Sequence, residues 1–290
     1  MRLPLFKGAC TALVTPFLNN EINYPLLQQI ILHQYNSGIG AFVLSGTTGE
    51  APALSDAEKI ELFSKGKAYA PPSCKIIAGT GSNNTIHTIQ LSKAAEDAGA
   101  DGILVVAPYY NKGNKSGLIE HFTAIAKTVS IPVILYNVPS RTGVDIPIDV
   151  YTELSYIPNI VGVKEASSDI TKIARIRNNC PEDFYIWSGN DDQTVPAMSV
   201  GATGVISVLS NIYPAETAIM ANAALAGDYH TAGMLQRKML PMINALFAEV
   251  NPIPVKYAMH HIGFDCGPCR LPLGAPSLAT KSKLDELLQC

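Results

Sequence analysis

Residues 160–165 read Ile160-Val161-Gly162-Val163-Lys164-Glu165, a short apolar run that stops on a cation and an anion. Seven other runs of four to six residues, rich in Val, Ile or Leu, occupy 9–14, 41–44, 75–78, 102–107, 132–135, 184–187 and 204–208. Unbroken apolar runs of this length suit strands buried on both faces of a parallel sheet. They start about 20 to 35 residues apart, and helix-period segments fill the intervals. Ser55-Asp56-Ala57-Glu58 has the Ser and Glu of a capping box and predicts a helix running to about Tyr69. Asn83 or Asn84 caps the next, which ends at Gly99, and segments 116–128, 169–179, 191–200 and 214–226 follow the same logic. Eight strand–helix alternations predict an α/β fold of the closed (β/α)8 kind, a TIM barrel, over residues 1–226. Residues 227–290 do not alternate. They predict three helices, at 228–250, 254–261 and 277–288, with Gly and Pro in the gap between the last two. No linker precedes them, so this C-terminal helical region is expected to pack on the barrel.

Composition narrows the function. Apolar residues make up 47% of the 290, ample for a large core. Lys and Arg number 21 against 24 Asp and Glu, with no dense basic run, which argues against a nucleic-acid surface. No apolar stretch approaches the ~18 residues of a membrane span. The start, Met1-Arg2-Leu3-Pro4-Leu5-Phe6-Lys7, does not read as a secretory signal. The expected location is the cytoplasm. Cys10, Cys74, Cys180, Cys266, Cys269 and Cys290 are therefore expected as reduced thiols, not a disulfide framework. Charged residues are 16% of the chain, below the ordinary ~25%, a hint that part of the surface is covered by other copies.

In a barrel of this type the active site gathers where the strands end. There the sequence places Thr47-Thr48 between glycines, Tyr109-Tyr110, Tyr136, Arg141, Lys164-Glu165 and Gly189-Asn190-Asp191-Asp192. Lys164 is the sharpest of these. A desolvated lysine at a barrel mouth frees its amine to attack a carbonyl and form a Schiff base, an electron sink for carbon chemistry. The alternative is a lysine merely paired with Glu165. Tyr136 could shuttle protons beside a Schiff base, or cap the barrel as a packed ring. Thr47 and Thr48 could present hydroxyls and N–H groups to a carboxylate, or form an ordinary turn. Arg141 could clamp a carboxylate with two hydrogen bonds, or lie solvated on the surface.

Other motifs point less far. Cys266-Gly267-Pro268-Cys269 has redox-pair spacing but lies in a Pro/Gly-rich stretch, away from a strand–helix junction. Gly79-Thr80-Gly81-Ser82 lacks the remainder of a phosphate loop, and His260-His261 lacks ligand-spaced partners, so no metal or nucleotide site is expected.

Five motifs in order resemble the dihydrodipicolinate synthase and N-acetylneuraminate lyase family of pyruvate-dependent class I aldolases. They are Gly46-Thr47-Thr48-Gly49-Glu50, Pro108-Tyr109-Tyr110-Asn111, Tyr136-Asn137-Val138-Pro139-Ser140-Arg141-Thr142-Gly143, Gly162-Val163-Lys164-Glu165-Ala166-Ser167 and Asn251-Pro252-Ile253-Pro254-Val255-Lys256. The Thr-Thr pair and Arg141 resemble the synthase branch of that family. The resemblance implies condensation of pyruvate with L-aspartate 4-semialdehyde to 4-hydroxy-tetrahydrodipicolinate, in lysine and diaminopimelate synthesis. It implies Lys164 as the Schiff-base lysine, and Tyr136, Thr47 and Tyr110 as a proton relay, with Tyr110 supplied by a neighbouring subunit. Thr48 with Thr47 would hold the pyruvate carboxylate, Arg141 that of the second substrate, and Gly189 and Ile206 would line the pocket. It implies no cofactor or metal, a homotetramer of two tight dimers, and no nucleic-acid or membrane partner. Asp56, Lys59 and His87 stand where lysine-regulated members differ, which implies weak or absent inhibition by lysine. Two alternatives stay open: a sister aldolase taking another aldehyde, and a non-catalytic or redox barrel.

Overall fold

The computed structural model describes residues 2–288. Ten strands form: β1 (Gly8–Ala12), β2 (Phe17–Leu18), β3 (Glu21–Ile22), β4 (Ala41–Leu44), β5 (Lys75–Gly79), β6 (Gly102–Val106), β7 (Val133–Asn137), β8 (Ile160–Glu165), β9 (Tyr185–Ser188) and β10 (Gly204–Ser207). Eight of them pair in parallel and close in the order β1-β10-β9-β8-β7-β6-β5-β4. This is the expected (β/α)8 barrel, and each of its strands falls on one of the eight apolar runs.

The outer ring comprises α1 (Tyr24–Asn36), α2 (Asp56–Tyr69), α3 (Thr85–Asp97), α4 (Lys115–Ala126), the short α5 (Pro139–Thr142), α6 (Ile148–Leu154), α7 (Ile170–Asn179), α8 (Thr194–Ser199) and α9 (Pro214–Leu225). The Ser55–Glu58 capping box forms as expected, with Glu58 N donating to Ser55 Oγ at 3.2 Å and Ser55 N donating to Glu58 Oε2 at 2.8 Å. Asn84, not Asn83, caps α3. The helix expected over 191–200 is broken: a single 3-10 turn, Asp191–Gln193, precedes α8. The fully buried Asp191 is diverted to the backbone, its Oδ2 accepting from Val208 N and Leu209 N at 2.9 Å each.

The C-terminal helices are α10 (Tyr229–Leu246), α11 (Ile253–His261) and α12 (Leu278–Leu288). α10 packs on α8 and α9, and its Gln236 reaches the barrel loops through Asp191 O and Val195 N. The β2–β3 hairpin lies outside the sequence expectations. Its two-residue turn, Asn19-Asn20, has φ of 52° and 65°, the positive values that fit the twist of a tight hairpin.

Two apolar cores result. The larger packs the helices onto the outer face of the barrel. The smaller fills the barrel with inward residues of successive strands, among them Cys10, Val43, Ile77, Leu104, Tyr136, Trp187 and Ile206. Trp187 closes the layer below the mouth, stacked on Phe6 with ring centroids 4.9 Å apart. No helix is long and apolar enough to cross a membrane among the described residues.

Candidate active site

Lys164 is the penultimate residue of β8. Its register partners are Tyr136 on β7 and Trp187 on β9. Paired residues of parallel strands share a face, so all three point into the barrel. Lys164 is 5% exposed, and its Nζ stands 4.6 Å from the centroid of the Tyr136 ring. Among the described residues it makes no ion pair, whereas the two other buried lysines, Lys172 and Lys256, are both paired. Gly189 makes room for it: a Cβ there would lie 3.0 Å from Lys164 Cε and 2.6 Å from the Ala166 Cβ. Ile206 on β10 is fully buried, in register with Cys10 on β1.

Glu165 turns away, because successive strand residues face opposite sides. It accepts from Asn137 Nδ2 at 2.9 and 3.1 Å, from the Tyr151 hydroxyl at 3.0 Å and from Ser167 N at 2.8 Å. A Lys164–Glu165 pair is therefore absent. Burial, with Glu165 beside it, pushes the Tyr151 hydroxyl well above its ordinary range and keeps it a donor.

Thr47 and Thr48 follow β4 in a tight turn. Ser45 and Glu50 bracket it at positive φ, 52° and 57°. Glu50 N donates to Thr47 O at 3.1 Å and Ala51 N to Gly46 O at 3.2 Å. The Ser45 carbonyl lies so close to Gly79 that any side chain there would strike it. The turn is fastened from the C-terminal region. Glu50 is buried and accepts from Lys256 Nζ and from Arg270 N, each at 2.8 Å. The Arg270 guanidinium spans both carboxylate oxygens of Glu58, at 3.0 and 2.6 Å. That pairing holds the Glu58 carboxyl down to about 2. Asn251 joins the same frame, its Nδ2 donating to Thr48 Oγ1 at 2.9 Å and its carbonyl accepting from Arg141 Nη2 at 3.3 Å.

A cavity of about 490 Å³ opens over these loops, and Thr47, Tyr136 and Arg141 line it together. Lys164 and Thr48 are not among its lining residues: Lys164 Nζ lies against the Tyr136 ring, and Thr48 is buried. Tyr110 is not brought in. It is 89% exposed, at φ 68°, on the loop after β6, while its neighbour Tyr109 lines the cavity. At the outer end Lys59 and His87 face the cavity. Asp56 is engaged by both, 2.8 Å from His87 Nε2 and 3.5 Å from Lys59 Nζ.

Cys266-Gly267-Pro268-Cys269 lies between α11 and α12, and both thiols are free. Burial pushes them up to about 12 and about 11, the reverse of an activated redox thiol. The segment serves the frame: Cys266 O accepts from Phe17 N at 2.9 Å and Pro268 O from Lys256 Nζ at 3.1 Å. Cys290 lies outside the described residues. Among the described residues no cluster of three or more His, Cys, Asp or Glu is arranged to hold a metal ion.

Asn251 is the site-contacting residue to which sequence reasoning assigns no role. It is quoted only as part of a motif, and nothing in its neighbours shows that a loop 203 positions away from Thr48 folds onto it.

The Dihydrodipicolinate synthetase family model matches residues 5–290. The 4-hydroxy-tetrahydrodipicolinate synthase of Lachnoclostridium phytofermentans is 50% identical over 273 residues, 93% of each chain. That of Methanosarcina mazei is 48% identical over 287 residues, 98% of each. The crystal structure of the chloride-inhibited dihydrodipicolinate synthase from Acinetobacter baumannii complexed with pyruvate superimposes with a TM-score of 0.95. It is 39% identical and covers 98% of each chain. With the barrel, the strand-end site and matches that span nearly all of its length, the chain belongs to the dihydrodipicolinate synthetase family.

Proposed function

We propose that this chain condenses pyruvate with L-aspartate 4-semialdehyde through a Schiff base on Lys164 to give 4-hydroxy-tetrahydrodipicolinate. The observation that carries the assignment is Lys164 itself, buried at a strand end with no carboxylate partner and a tyrosine ring against its amine. The Nζ lone pair adds to the pyruvate ketone carbon, and loss of water leaves the protonated imine. A methyl proton then departs and the C–H pair becomes an enamine. The enamine carbon attacks the aldehyde, forming the new C–C bond and a hydroxyl. The amino group of the second substrate adds to the imine carbon, closes the ring and expels Lys164.

Tyr136 and Thr47 share the cavity and carry the protons. Tyr110 completes the relay from the partner subunit in this reading, which accounts for a tyrosine left exposed on one chain. The assembly is accordingly a homotetramer of two tight dimers, and its mass in solution tests that. Thr48 with Thr47 holds the pyruvate carboxylate, Arg141 that of the semialdehyde, and Gly189 and Ile206 shape the pocket around the imine. Residues 1–226 form the catalytic barrel, 227–290 a helical region packed on it, and the enzyme works in the cytoplasm.

Borohydride added with pyruvate tests the covalent step. It should inactivate the enzyme and leave one reduced pyruvate per chain on the peptide containing Lys164. A label elsewhere, or none, refutes the mechanism. A second test concerns the outer end of the cavity. With Asp56 already engaged by both, Lys59 sets a cation, and His87 no anion, beside a cationic amino acid. L-lysine at millimolar concentration should inhibit weakly or not at all, and strong inhibition below 1 mM, by the L isomer alone, would contradict this.

A further inference from the structure

Thr48 and Arg141 sit on different strand-end loops, after β4 and β7, and one residue beyond the barrel touches both. Asn251 is 5% exposed, between α10 and α11. Its side-chain Nδ2 donates to Thr48 Oγ1 at 2.9 Å, and its backbone carbonyl accepts from Arg141 Nη2 at 3.3 Å. Its Oδ1 is buried without a partner among the described residues. Most buried polar side-chain atoms find a hydrogen-bond partner, so a bare one calls for an explanation. Here the donor end is committed to a site residue and the acceptor end is left bare.

We infer that Asn251 is a positioning residue for carboxylate binding, its amide setting the direction of the Thr48 hydroxyl and its carbonyl setting the Arg141 guanidinium. The inference rests on the roles proposed for Thr48 and Arg141. A threonine hydroxyl has one proton and two lone pairs, and a carboxylate can only accept. With the Asn251 amide hydrogen on Oγ1, the Thr48 proton is left free to be donated, the polarity a carboxylate needs. The two halves of Asn251 act on different substrates. Side-chain substitutions disturb the hold on Thr48 and therefore on pyruvate, while the backbone carbonyl stays on Arg141.

The test is a set of steady-state kinetics on Asn251→Ala and Asn251→Asp, each alone and with Thr48→Val. Asn251→Ala should raise KM for pyruvate about three- to tenfold, the worth of one hydrogen bond. KM for the semialdehyde should move less than about twofold. Asn251→Asp should raise pyruvate KM further, because it offers an acceptor to the Thr48 proton and a negative charge near the carboxylate. Within Thr48→Val, Asn251→Ala should add nothing. Equal shifts in both KM values, an aspartate milder than alanine, or full additivity with Thr48→Val would overturn the inference. Should Asn251→Asp not fold, Asn251→Ser takes its place and should match alanine to within about twofold. Borohydride trapping of pyruvate on the wild-type enzyme runs alongside. No label on Lys164 there condemns the Schiff-base reading, whereas a label without the KM split condemns only the role given to Asn251.

Discussion

Lys164 at the barrel mouth and Lys256 on α11 are removed from solvent to almost the same degree, and their surroundings are opposites. Lys256 is compensated on every side: Glu50 at 2.8 Å, the Pro268 carbonyl at 3.1 Å and the Phe17 ring centroid at 4.2 Å. Lys164 has the Tyr136 ring at 4.6 Å and, among the described residues, no ion pair. Taking an ammonium out of water costs several kcal/mol, which only a well-placed partner returns. The C-terminal frame thus pairs its lysine, and the mouth leaves its own without an ion pair. The difference separates a lysine tied into the fold from one left without an ion pair, as the role proposed for Lys164 requires.

Methionine at each position puts the comparison at risk. The largest effect should be on turnover: Lys164→Met removes the nucleophile and should cost about a thousandfold or more in kcat. Its thermal midpoint should stay level or rise, since a buried lysine without an ion pair is replaced by an apolar side chain of similar length. Next in size comes stability at the other site. Lys256→Met strands the Glu50 carboxylate and should cost about 3–5 kcal/mol. Replacing both partners, Lys256→Met with Glu50→Leu, should recover much of that loss. Equal destabilisation by the two single methionine variants, measured by denaturant titration, would erase the distinction.

The smallest effect sharpens the contrast with a third buried base. His121 on α4 keeps Nδ1 2.9 Å from the Thr85 hydroxyl and leaves Nε2 without a partner. Burial lowers its pKa from 6.5 to about 4, so it escapes the cost of charge by staying neutral. The unfolded chain takes up this proton near pH 6.5 and the folded chain only near pH 4. Stability is therefore complete above pH 6.5 and falls as the pH drops towards 4, by up to about 3 kcal/mol. In His121→Gln that part of the decline should vanish; an unchanged pH profile would show that His121 is not its source.

Much of the barrel is legible because each strand is a compact apolar run and each ends on residues unlike the run. The capping box at Ser55 and the stop at Gly99 are local signals, read correctly from neighbours a few positions apart. The hairpin at Asn19-Asn20 went unread although its turn residues tolerate positive φ, because flanking strands of two residues carry no periodicity. The 191–200 helix misled for another reason: Asp191 bonds to backbone 17 and 18 positions away, a tertiary demand that helix propensity does not contain. At the site, Lys164, Tyr136, Thr47, Thr48 and Arg141 stand out as polar groups at strand ends. The isolation of Lys164 does not stand out, since Glu165 follows it in sequence and only the pleat of β8 separates them.

The register of β8 and β9 has an optical consequence. Trp187 is the only tryptophan in the chain, and it is paired with Lys164 one strand away and screened from solvent. All indole emission from this protein therefore originates inside the barrel, from a ring stacked on Phe6. A tryptophan in so dry a setting emits towards the blue, and a change when pyruvate is added would report on the barrel interior. The molecule thus carries a single intrinsic fluorophore inside the barrel, one strand from Lys164, with which events there can be followed without a label.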